Sequence, residues 1–526
     1  MSLRKSKRIR WWPLALIVAV AGGIVAVTSQ PDSLTHQQKY MRMGMTIAAA
    51  LALFLVWTLF LSRMKWALRL GITGGVLALI GLAAATLKVE GVTGDLLPIV
   101  TWKWSQLASE RVGDLVEASS GALASDSTSR ALPEHFSDYP QFLGPDRTAI
   151  VDGPLFEIDW ETHPPRELWR QPIGPAWSGF AVKGFRAITQ EQRGDEERVT
   201  CYDLLSGALL WAHGDSAHYS TVLGGEGPRA TPSIDDRRVY TLGATGILNC
   251  LALETGKRIW QRNIQEDAAA KGLDWGYAGS PLVAGNLVIV NAGGTENTAM
   301  IAYRKTDGEM LWSNGSDPAS YSTPVLATLA GVEQVLIFHQ RGIASHDSQT
   351  GDVLWSFPVK HNRPHVAVPL IIDTNRVMIS SGYGYGSVML QVRATEAGDF
   401  TVEQEWKSIR LQSKFNNLIQ KDGFVYGLHD GTFCCLDPAT GKRLWKEGHF
   451  GHGQMILANE TQLLLTTESG GVKLIEPSPE KLRVLCQMHV FDEKMWNSPA
   501  LAGDFLLLRN HKEAVCYRLV VVARSE

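Results

Sequence analysis

The most reactive side chains in this chain are its cysteines, and two of them, Cys434 and Cys435, are adjacent. An adjacent pair forms a disulfide only across a distorted peptide, whereas the residues around this pair have the pattern of a regular strand, in which successive side chains point to opposite faces. The pattern therefore favours two structural thiols over a redox pair. No C-x-x-C-H motif occurs, so the sequence predicts no attached c-type haem.

The other candidate chemical groups also have a structural interpretation. The glycine-rich run 382–387 (GYGYGS) is not followed by a helical pattern, and we interpret it as an enlarged hairpin turn rather than a phosphate-binding loop. Nothing resembles G-x-S-x-G, H-E-x-x-H or a P-loop. We therefore predict no catalytic, cofactor-binding or metal-binding residue. Four histidines lie in two loops without the spacing of a zinc site, and solvated or hydrogen-bonded side chains are favoured there: His361, His365, His449 and His452.

A binding surface is a stronger candidate than a catalytic site. Aromatic and amide side chains recur in the segments that join the repeated strand groups described below. Gathered on one face, they would form a funnel for a peptide or a small ligand. The alternative is that the aromatic side chains only pack at the junctions between repeats. The predicted funnel consists of Trp177, Tyr219, Arg229, Trp275, Tyr277, Tyr321, Lys414, Phe415, Asn416, Asn417, Phe450, Trp496 and Asn497.

A repeat positions these segments. Between Trp169 and Cys486 the chain repeats a group of apolar strands that ends in Trp, with copies such as TGKRIW, TGDVLW and TGKRLW. The Trp residues stand at 169, 211, 260, 312, 355, 406 and 445, at steps of 42, 49, 52, 43, 51 and 39 residues, and an eighth register falls at Cys486. A period of about 40 to 50 residues with four strands per unit is typical of a β-propeller.

Each unit predicts one four-stranded antiparallel blade. A glycine lies between the third and fourth strands, where a tight hairpin favours a residue that tolerates positive φ. The Trp on the fourth strand is large enough to fill the wedge between adjacent blades. The links from a fourth strand to the next first strand emerge on the same face as the turns between second and third strands, so the funnel residues would share one mouth.

The two ends of the repeat region predict how the ring closes. Residues 167–173 (ELWRQPI) form a fourth strand with no blade before it, and residues 497–519 supply three strands with no fourth after them. We therefore predict an all-β, eight-bladed propeller whose last blade is closed by the N-terminal strand, which removes exposed sheet edges. A seven-bladed ring is the alternative, because the units that end at Trp211 and Cys486 lack the full motif.

Three apolar stretches precede the propeller, each near the length that a bilayer requires. Basic residues cluster before the first stretch and again at Arg63 and Lys65, so the positive-inside rule places both segments in the cytoplasm and the propeller outside it. A cleaved signal peptide is the alternative for the first stretch. The predicted regions are a basic tail (1–10), transmembrane helices (11–27, 44–61 and 66–87), a collar and linker containing a helix (88–138), the propeller (139–520) and a C-terminal tail (521–526).

Composition excludes one class of partner and indicates the state of the cysteines. A net charge of −3 without a basic stripe beyond the tail argues against nucleic acid. Six cysteines in an exported domain could form disulfides. Four of them, however, share one small-residue position in the third strand of different units, which indicates buried free thiols. This position holds Cys201, Cys250, Cys435 and Cys516, with Ala302 and Ser345 in other units.

The repeats resemble the pyrroloquinoline quinone (PQQ)-type propeller repeat, which quinoprotein alcohol dehydrogenases share with outer-membrane assembly lipoproteins of the BamB type. The resemblance covers about residues 135–520. Residues 141–150 (QFLGPDRTAI) resemble the segment that precedes the repeats in membrane-anchored bacterial members. The resemblance is specific for the fold and weak for activity, because many members bind no quinone.

Two functions are compatible with this resemblance. A quinoprotein dehydrogenase of the family would need an adjacent-Cys disulfide and a Trp that sandwich the quinone, acidic and amide ligands for Ca²⁺, and an Asp as base. Here the only adjacent pair lies inside a predicted strand. We therefore expect a non-catalytic scaffold without a cofactor, multi-pass in the bacterial inner membrane with its propeller in the periplasm, that binds an envelope protein or a small ligand. A PQQ- and calcium-dependent oxidoreductase of the alcohol dehydrogenase type is the alternative.

Overall fold

The computed structural model describes residues 9–30, 36–105, 131–361 and 363–522. The chain divides into two compact units, Met1–Gln106 and Leu107–Glu526. Most of the predicted basic tail and of the predicted linker with its helix, and the last four residues of the C-terminal tail, lie outside the described residues.

The first unit contains three apolar helices and a hairpin. The predicted collar contains two antiparallel strands, Leu87–Val92 and Pro98–Trp102. The second helix begins well before the predicted residue 44, because polar residues ahead of the apolar stretch continue the helical hydrogen bonding. By length and composition, two of the helices could cross a membrane, and the first is shorter. The helices are α1 (Trp12–Thr28), α2 (His36–Val56), continued by a π-helical segment (Trp57–Leu61), and α3 (Trp66–Thr86).

The second unit is an eight-bladed β-propeller, as predicted. Each blade contains an antiparallel sheet of four strands, and first strands of neighbouring blades contact one another to form the wall of an inner channel. A short helix, Ile264–Asp267, follows blade 2. The strands of blades 1 to 7 are, in order, Ala181–Lys183, Arg186–Arg193, Glu196–Asp203 and Leu209–Ser216; Ser233–Asp235, Arg238–Leu242, Ile247–Ala252 and Arg258–Asn263; Leu282–Ala284, Leu287–Asn291, Met300–Arg304 and Met310–Asn314; Val325–Leu329, Val332–Phe338, Gly342–Asp347 and Val353–Pro358; Leu370–Ile371, Arg376–Ser381, Gly386–Ala394 and Phe400–Ser408; Ile419–Lys421, Phe424–His429, Thr432–Asp437 and Lys442–His449; and Met455–Ala458, Gln462–Thr466, Gly471–Glu476 and Arg483–His489.

Blade 8 closes the ring with strands from both ends of the propeller sequence. Its first three strands are Ala500–Ala502, Phe505–Arg509 and Glu513–Arg518, and the fourth is Arg166–Pro172. The fourth strand pairs antiparallel with the third, and Trp169 lies opposite Cys516. The predicted closure is confirmed, and the seven-bladed alternative is wrong.

The periodic tryptophans join each blade to the next. Trp211 of blade 1 lies against Gly256 of blade 2, so closely that a Cβ atom on this glycine would be 2.4 Å from the ring. The indole nitrogen donates to the carbonyl of Leu253 in the same turn, at 2.9 Å. Glycine is therefore required at position 256 for two reasons: the backbone has a φ of +66°, and there is no room for a side chain. The same contact recurs at Gly207, Gly308, Gly351 and Gly441.

Four of the six cysteines, Cys201, Cys250, Cys435 and Cys516, occupy the predicted small-residue position opposite a periodic Trp. All six are free, and five are buried. Cys434 and Cys435 lie in the regular strand Thr432–Asp437, where their partners on the next strand are Lys446 and Trp445. Burial raises the pKa of the Cys434 thiol to about 12 and that of Cys435 to about 11. Both thiols therefore stay protonated at neutral pH and are weak nucleophiles.

A segment ahead of blade 1 crosses the inner channel, and we call residues 139–151 the plug. At its start, Tyr139 pairs with Val182 in the first strand of blade 1. At its end, Ile150–Val151 adds a short parallel strand to the first strand of blade 7. This pairing gives blade 7 a fifth strand. The two ends of the plug therefore lie at blades 1 and 7, which are separated in the ring by blade 8.

A buried arginine fixes the middle of the plug. The Arg147 guanidinium donates to the carbonyl oxygens of Ser280 and Pro324 at 3.3 and 3.2 Å and to the Ser233 hydroxyl at 3.1 Å. These partners lie at the start of blades 2, 3 and 4, and they are neutral. Burial accordingly lowers the pKa of Arg147 to about 9. One side chain therefore links the plug to three blades.

Candidate functional site

Eight links join the fourth strand of one blade to the first strand of the next, and we call the side on which they emerge the link face. Side-chain and backbone groups of each link bond to the next link, and these bonds form a closed ring that satisfies backbone groups otherwise left unpaired. Around the ring the bonds are Gly179 N to Thr231 Oγ1 (3.1 Å), Thr231 N to Ser280 Oγ (3.0 Å), Ser280 N to Thr323 Oγ1 (3.0 Å), Ser322 Oγ to Ala367 O (3.1 Å), Val368 N to Asn417 Oδ1 (2.8 Å), Gln454 Nε2 to Phe415 O (2.8 Å) and Trp496 O (3.2 Å), and Asn497 Nδ2 to Ala176 O (3.0 Å) and Ser178 O (2.9 Å).

Residues from all eight links line a cavity of about 160 Å³ in the link face. Phe142 of the plug also lines it, so the plug contributes to the wall of the cavity. The hydrogen-bonded ring holds the lining residues on a rigid scaffold. Seven of the thirteen predicted funnel residues are brought together here: Trp177, Arg229, Trp275, Tyr321, Phe415, Asn417 and Trp496.

Five aromatic rings form a continuous chain along the cavity. Trp177 and Trp496 have ring centroids 5.1 Å apart, and Trp496 lies 5.2 Å from Phe415. Phe415 meets Trp275 edge-on at 6.0 Å, and Trp275 stacks on Tyr321 at 4.9 Å. All five side chains are partly exposed. They therefore offer ring surface to a ligand, in contrast to the buried tryptophans between blades.

Arg229 supplies the cationic group of the cavity. Its guanidinium lies 4.2 Å from the centre of the Tyr219 ring and donates to the carbonyl oxygens of Gly224 and Gly225 at 2.7 and 2.9 Å, and to that of Gly227. Burial lowers the pKa of Arg229 to about 10, so the side chain remains charged at neutral pH. Its hydrogen-bond partners are neutral carbonyls.

Two further titratable groups lie near this cation and the aromatic chain. The carboxyl group of Glu197 is buried, and burial raises its pKa to about 7 despite a hydrogen bond from the Ala244 amide and the charge of Arg229. The Lys494 ammonium lies 3.8 Å from the centre of the Trp496 ring and 4.8 Å from that of Trp177, and burial lowers its pKa to about 8. Both groups therefore titrate near neutral pH.

The structure places the other six predicted funnel residues outside the cavity lining. Tyr277 is in the core between blades 2 and 3, and its hydroxyl donates to Ala292 O. Asn416 and Asn497 are buried: the Asn416 side chain accepts a hydrogen bond from Ser413, and the Asn497 side chain donates one to Ala176 O. The remaining three support neighbouring groups: Tyr219 lies against Arg229, Lys414 is buried with its ammonium 5.2 Å from the Phe415 ring centre, and Phe450 packs beside Lys473.

Several lining residues were missed by sequence analysis. A hydroxyl residue followed by proline ends four links, at Thr231, Ser280, Thr323 and Ser498, and the hydroxyls of the first three belong to the hydrogen-bonded ring. This recurring dipeptide is a signal that could have identified the ring. Phe142, Leu223 and Val366 carry no comparable pattern.

The four histidines lie in two groups, one between blades 4 and 5 and one between blades 6 and 7. His365 is buried, stacks on Phe338 with ring centroids 4.1 Å apart, and has its pKa lowered to about 3 by burial. His361 lies 5.8 Å from His365, between ring centroids. His452 meets Phe415 edge-on, and His449 ends the fourth strand of blade 6. None of the four lines the cavity described above.

Comparison with known proteins supports the same fold. The family profile described as outer membrane protein assembly factor BamB matches residues 195–447. The chain is 24% identical over 292 residues to the assembly factor BamB of Burkholderia pseudomallei, covering 53% of this chain and 68% of the relative. It is 23% identical over 296 residues to BamB of Yersinia pestis, covering 52% and 71%. A quinohemoprotein alcohol dehydrogenase from Comamonas testosteroni has a similar fold, with a TM-score of 0.55 and 12% identity over 74% of this chain and 82% of that chain.

Proposed function

We propose that this chain, which is similar to the BamB-type family of β-propeller repeats, is a non-catalytic binding scaffold of the bacterial cell envelope. The aromatic cavity in the link face carries the proposal. Aromatic walls with a few oriented polar groups are typical of binding sites. The described residues that line it include no cysteine, histidine or carboxylate that could act as nucleophile or base.

We propose that α1, α2 and α3 anchor the chain in the inner membrane and that the propeller lies in the periplasm. Large apolar side chains are exposed along these helices, for example Phe60 at 71% and Leu79 at 67%, and lipid would cover them. Arg63 and Lys65 lie between α2 and α3, where positive charge favours the cytoplasm. Alkaline phosphatase fused after Glu526 should be active and a reporter that works only in the cytoplasm inactive. The opposite pattern would contradict this topology.

We propose that the partner is an envelope protein, since the relatives are named assembly factors of the outer membrane. A photo-crosslinking residue at Leu223, which is 53% exposed and lines the cavity, tests this directly. It should capture an envelope protein in intact cells. The same residue at Val353, 44% exposed on the outer strand of blade 4, is the matched control and should not. Equal capture at both positions would contradict a binding site in the link face.

The alternative, a PQQ- and calcium-dependent oxidoreductase, is not supported by the residues present. Cys434 and Cys435 lie in a regular strand of blade 6 and do not line the cavity. No carboxylate among the described lining residues is available to bind calcium. The cavity of about 160 Å³ is also smaller than the roughly 300–1,000 Å³ usual for whole-ligand sites. Calcium-dependent dye reduction after addition of PQQ would overturn the scaffold assignment.

A further inference from the structure

We propose that the cavity in the link face receives one aromatic side chain of an extended acidic peptide segment, and that a carboxylate next to this side chain binds Arg229. The inference rests on the proposed scaffold function and names the chemistry of its partner. It depends on the size of the cavity, the nature of its walls, the position of its cation and the surface beside it.

The size of the cavity selects a single ring. Its volume is about 160 Å³, and an apolar protein cavity of about 150 Å³ binds benzene. A complete small-molecule ligand or a cofactor with several rings needs roughly 300 Å³ or more. One phenyl or phenol group therefore matches the space, with the rest of the partner outside it.

The walls offer the contacts that an aromatic ring prefers. Trp177 and Trp496 form one side, and Trp275 with Tyr321 forms another. Aromatic pairs favour offset-stacked or edge-to-face arrangements, and each such pair contributes about 0.5–1.5 kcal/mol beyond the area that it buries.

The charge of the site favours an acidic partner. A guanidinium has five N–H donors, and the described bonds of Arg229 use three of them, all to carbonyl oxygens. The carboxyl group that acts electrostatically on Arg229 is that of Glu197. Its pKa of about 7 leaves it only partly ionised at neutral pH. A carboxylate of the ligand would therefore find a buried cation that is not fully compensated, and charge-assisted hydrogen bonds of this kind are the strong ones.

The surface beside the cavity favours a peptide rather than a free aromatic acid. A small hairpin, Ser220–Thr221 with Gly225–Glu226, stands in the link before blade 2. At its tip, Val222 and Leu223 are 50% and 53% exposed, and Leu223 also lines the cavity. Adjacent exposed apolar side chains mark contact surfaces. They would contact the peptide residues on either side of the inserted ring.

The test uses the full-length chain in detergent and isothermal titration calorimetry with synthetic peptides. The probe is the pentapeptide Glu-Asp-Phe-Asp-Glu, acetylated and amidated so that only side chains carry charge. We expect saturable binding that weakens at least tenfold when Phe is replaced by Ala, and at least tenfold when the four acids are replaced by Gln and Asn. Free phenylacetate should bind at least tenfold more weakly than the peptide.

Two protein variants with matched controls locate the binding. Val366→Phe fills the cavity and leaves Arg229 in place, so it should abolish binding, whereas Val353→Phe on the outer strand of blade 4 should not. Arg229→Gln should weaken binding at least tenfold, and Arg393→Gln, at an exposed ion pair in blade 5, should leave it unchanged. Because Arg229 also holds its own loop, the result with Val366→Phe decides if the Arg229 variant misfolds.

Equal binding of the Phe and Ala peptides, or undiminished binding to a folded Val366→Phe variant, would overturn the inference. Phenylacetate binding as tightly as the peptide would show a small-molecule site and would also overturn it. The scaffold function fails separately: it falls if crosslinking from Leu223 captures no envelope protein, whatever the peptides do. If Leu223 captures a protein but no acidic aromatic peptide binds, the scaffold function stands and this inference is wrong.

Discussion

Two sets of tryptophans in this propeller differ in period, burial and use. The periodic set ends the fourth strands, and six of its seven members are less than one-tenth exposed. Trp177, Trp275 and Trp496 fall outside that period, lie in the links and are partly exposed. A periodic Trp such as Trp211 contacts the glycine turn of the next blade, whereas the three others meet around the cavity.

The difference shows that position relative to the repeat, rather than residue type, separates structural from binding residues. A residue that recurs once per blade meets the same neighbours each time, so its contacts build the ring. A residue that departs from the repeat has no equivalent in other blades, so blade packing does not require it there. The four predictions below test this distinction.

The largest effect is expected from removal of the strand that carries the first periodic tryptophan. A chain that begins at residue 176 lacks the fourth strand of blade 8 and Trp169. Because the ring can then no longer close, we expect loss of the cooperative thermal unfolding transition seen by circular dichroism. A chain that begins at residue 163 also lacks the plug but keeps the strand, and it is the control. An unchanged melting temperature in the shorter chain would contradict closure by this strand.

Single tryptophan substitutions compare the two sets directly. Trp211→Ala removes a buried side chain between blades and should destabilise the propeller by about 3–5 kcal/mol in urea unfolding. It should not weaken binding of the acidic aromatic peptide. Trp275→Ala removes a partly exposed side chain and should lower the free energy of unfolding by about 1 kcal/mol or less, while it weakens peptide binding at least tenfold. The distinction fails if both variants lose stability and binding to the same extent.

A glycine pair separates backbone strain from the Trp contact. Gly256 and Gly184 have φ of +66° and +54°, but a Cβ would touch Trp211 only at Gly256, and at Gly184 it would meet nothing within 4 Å. Gly184→Ala should therefore cost about 1–2 kcal/mol from strain alone. Gly256→Ala should cost at least about 1 kcal/mol more, because the indole must move. Equal costs in urea unfolding would show that the Trp contact is not tight.

The smallest effect is a pH dependence at the link face. Burial raises the pKa of Glu197 from 4.5 to about 7, so the folded chain holds this proton more tightly than the unfolded chain. The contribution of Glu197 to the free energy of unfolding must then decrease as the pH rises from about 4.5 to 7, and it stays constant above pH 7. Buried histidines such as His365 act in the opposite direction, because their folded pKa is lowered.

Subtraction isolates the Glu197 contribution. The free energy of unfolding of Glu197→Gln minus that of the unchanged chain should increase between pH 5 and pH 7, because Gln cannot ionise. A difference for Glu197→Gln that does not vary with pH would show that this carboxyl group is solvated.

Much of the fold could be predicted because it depends on local spacing. The Trp period gave the blades, and the unmatched strand at residues 167–173 predicted the closure seen at Arg166–Pro172. The shared position of Cys201 and Cys250 predicted buried free thiols. The candidate site was only partly predictable. Trp177 and Trp496 line the cavity as predicted, whereas Tyr277 packs in the core between blades and Asn497 is buried in hydrogen bonds to a neighbouring link.

The sequence alone determined the repeat, the number of strands in each blade and the apolar stretches ahead of the propeller, because these follow from the order of residues within one unit. Only the tertiary structure decided that the plug crosses the channel, that Arg147 reaches three blades, and that five aromatic rings meet around one cavity. These contacts join residues up to several hundred positions apart. Their distances depend on how eight blades close into a ring, which no local pattern encodes.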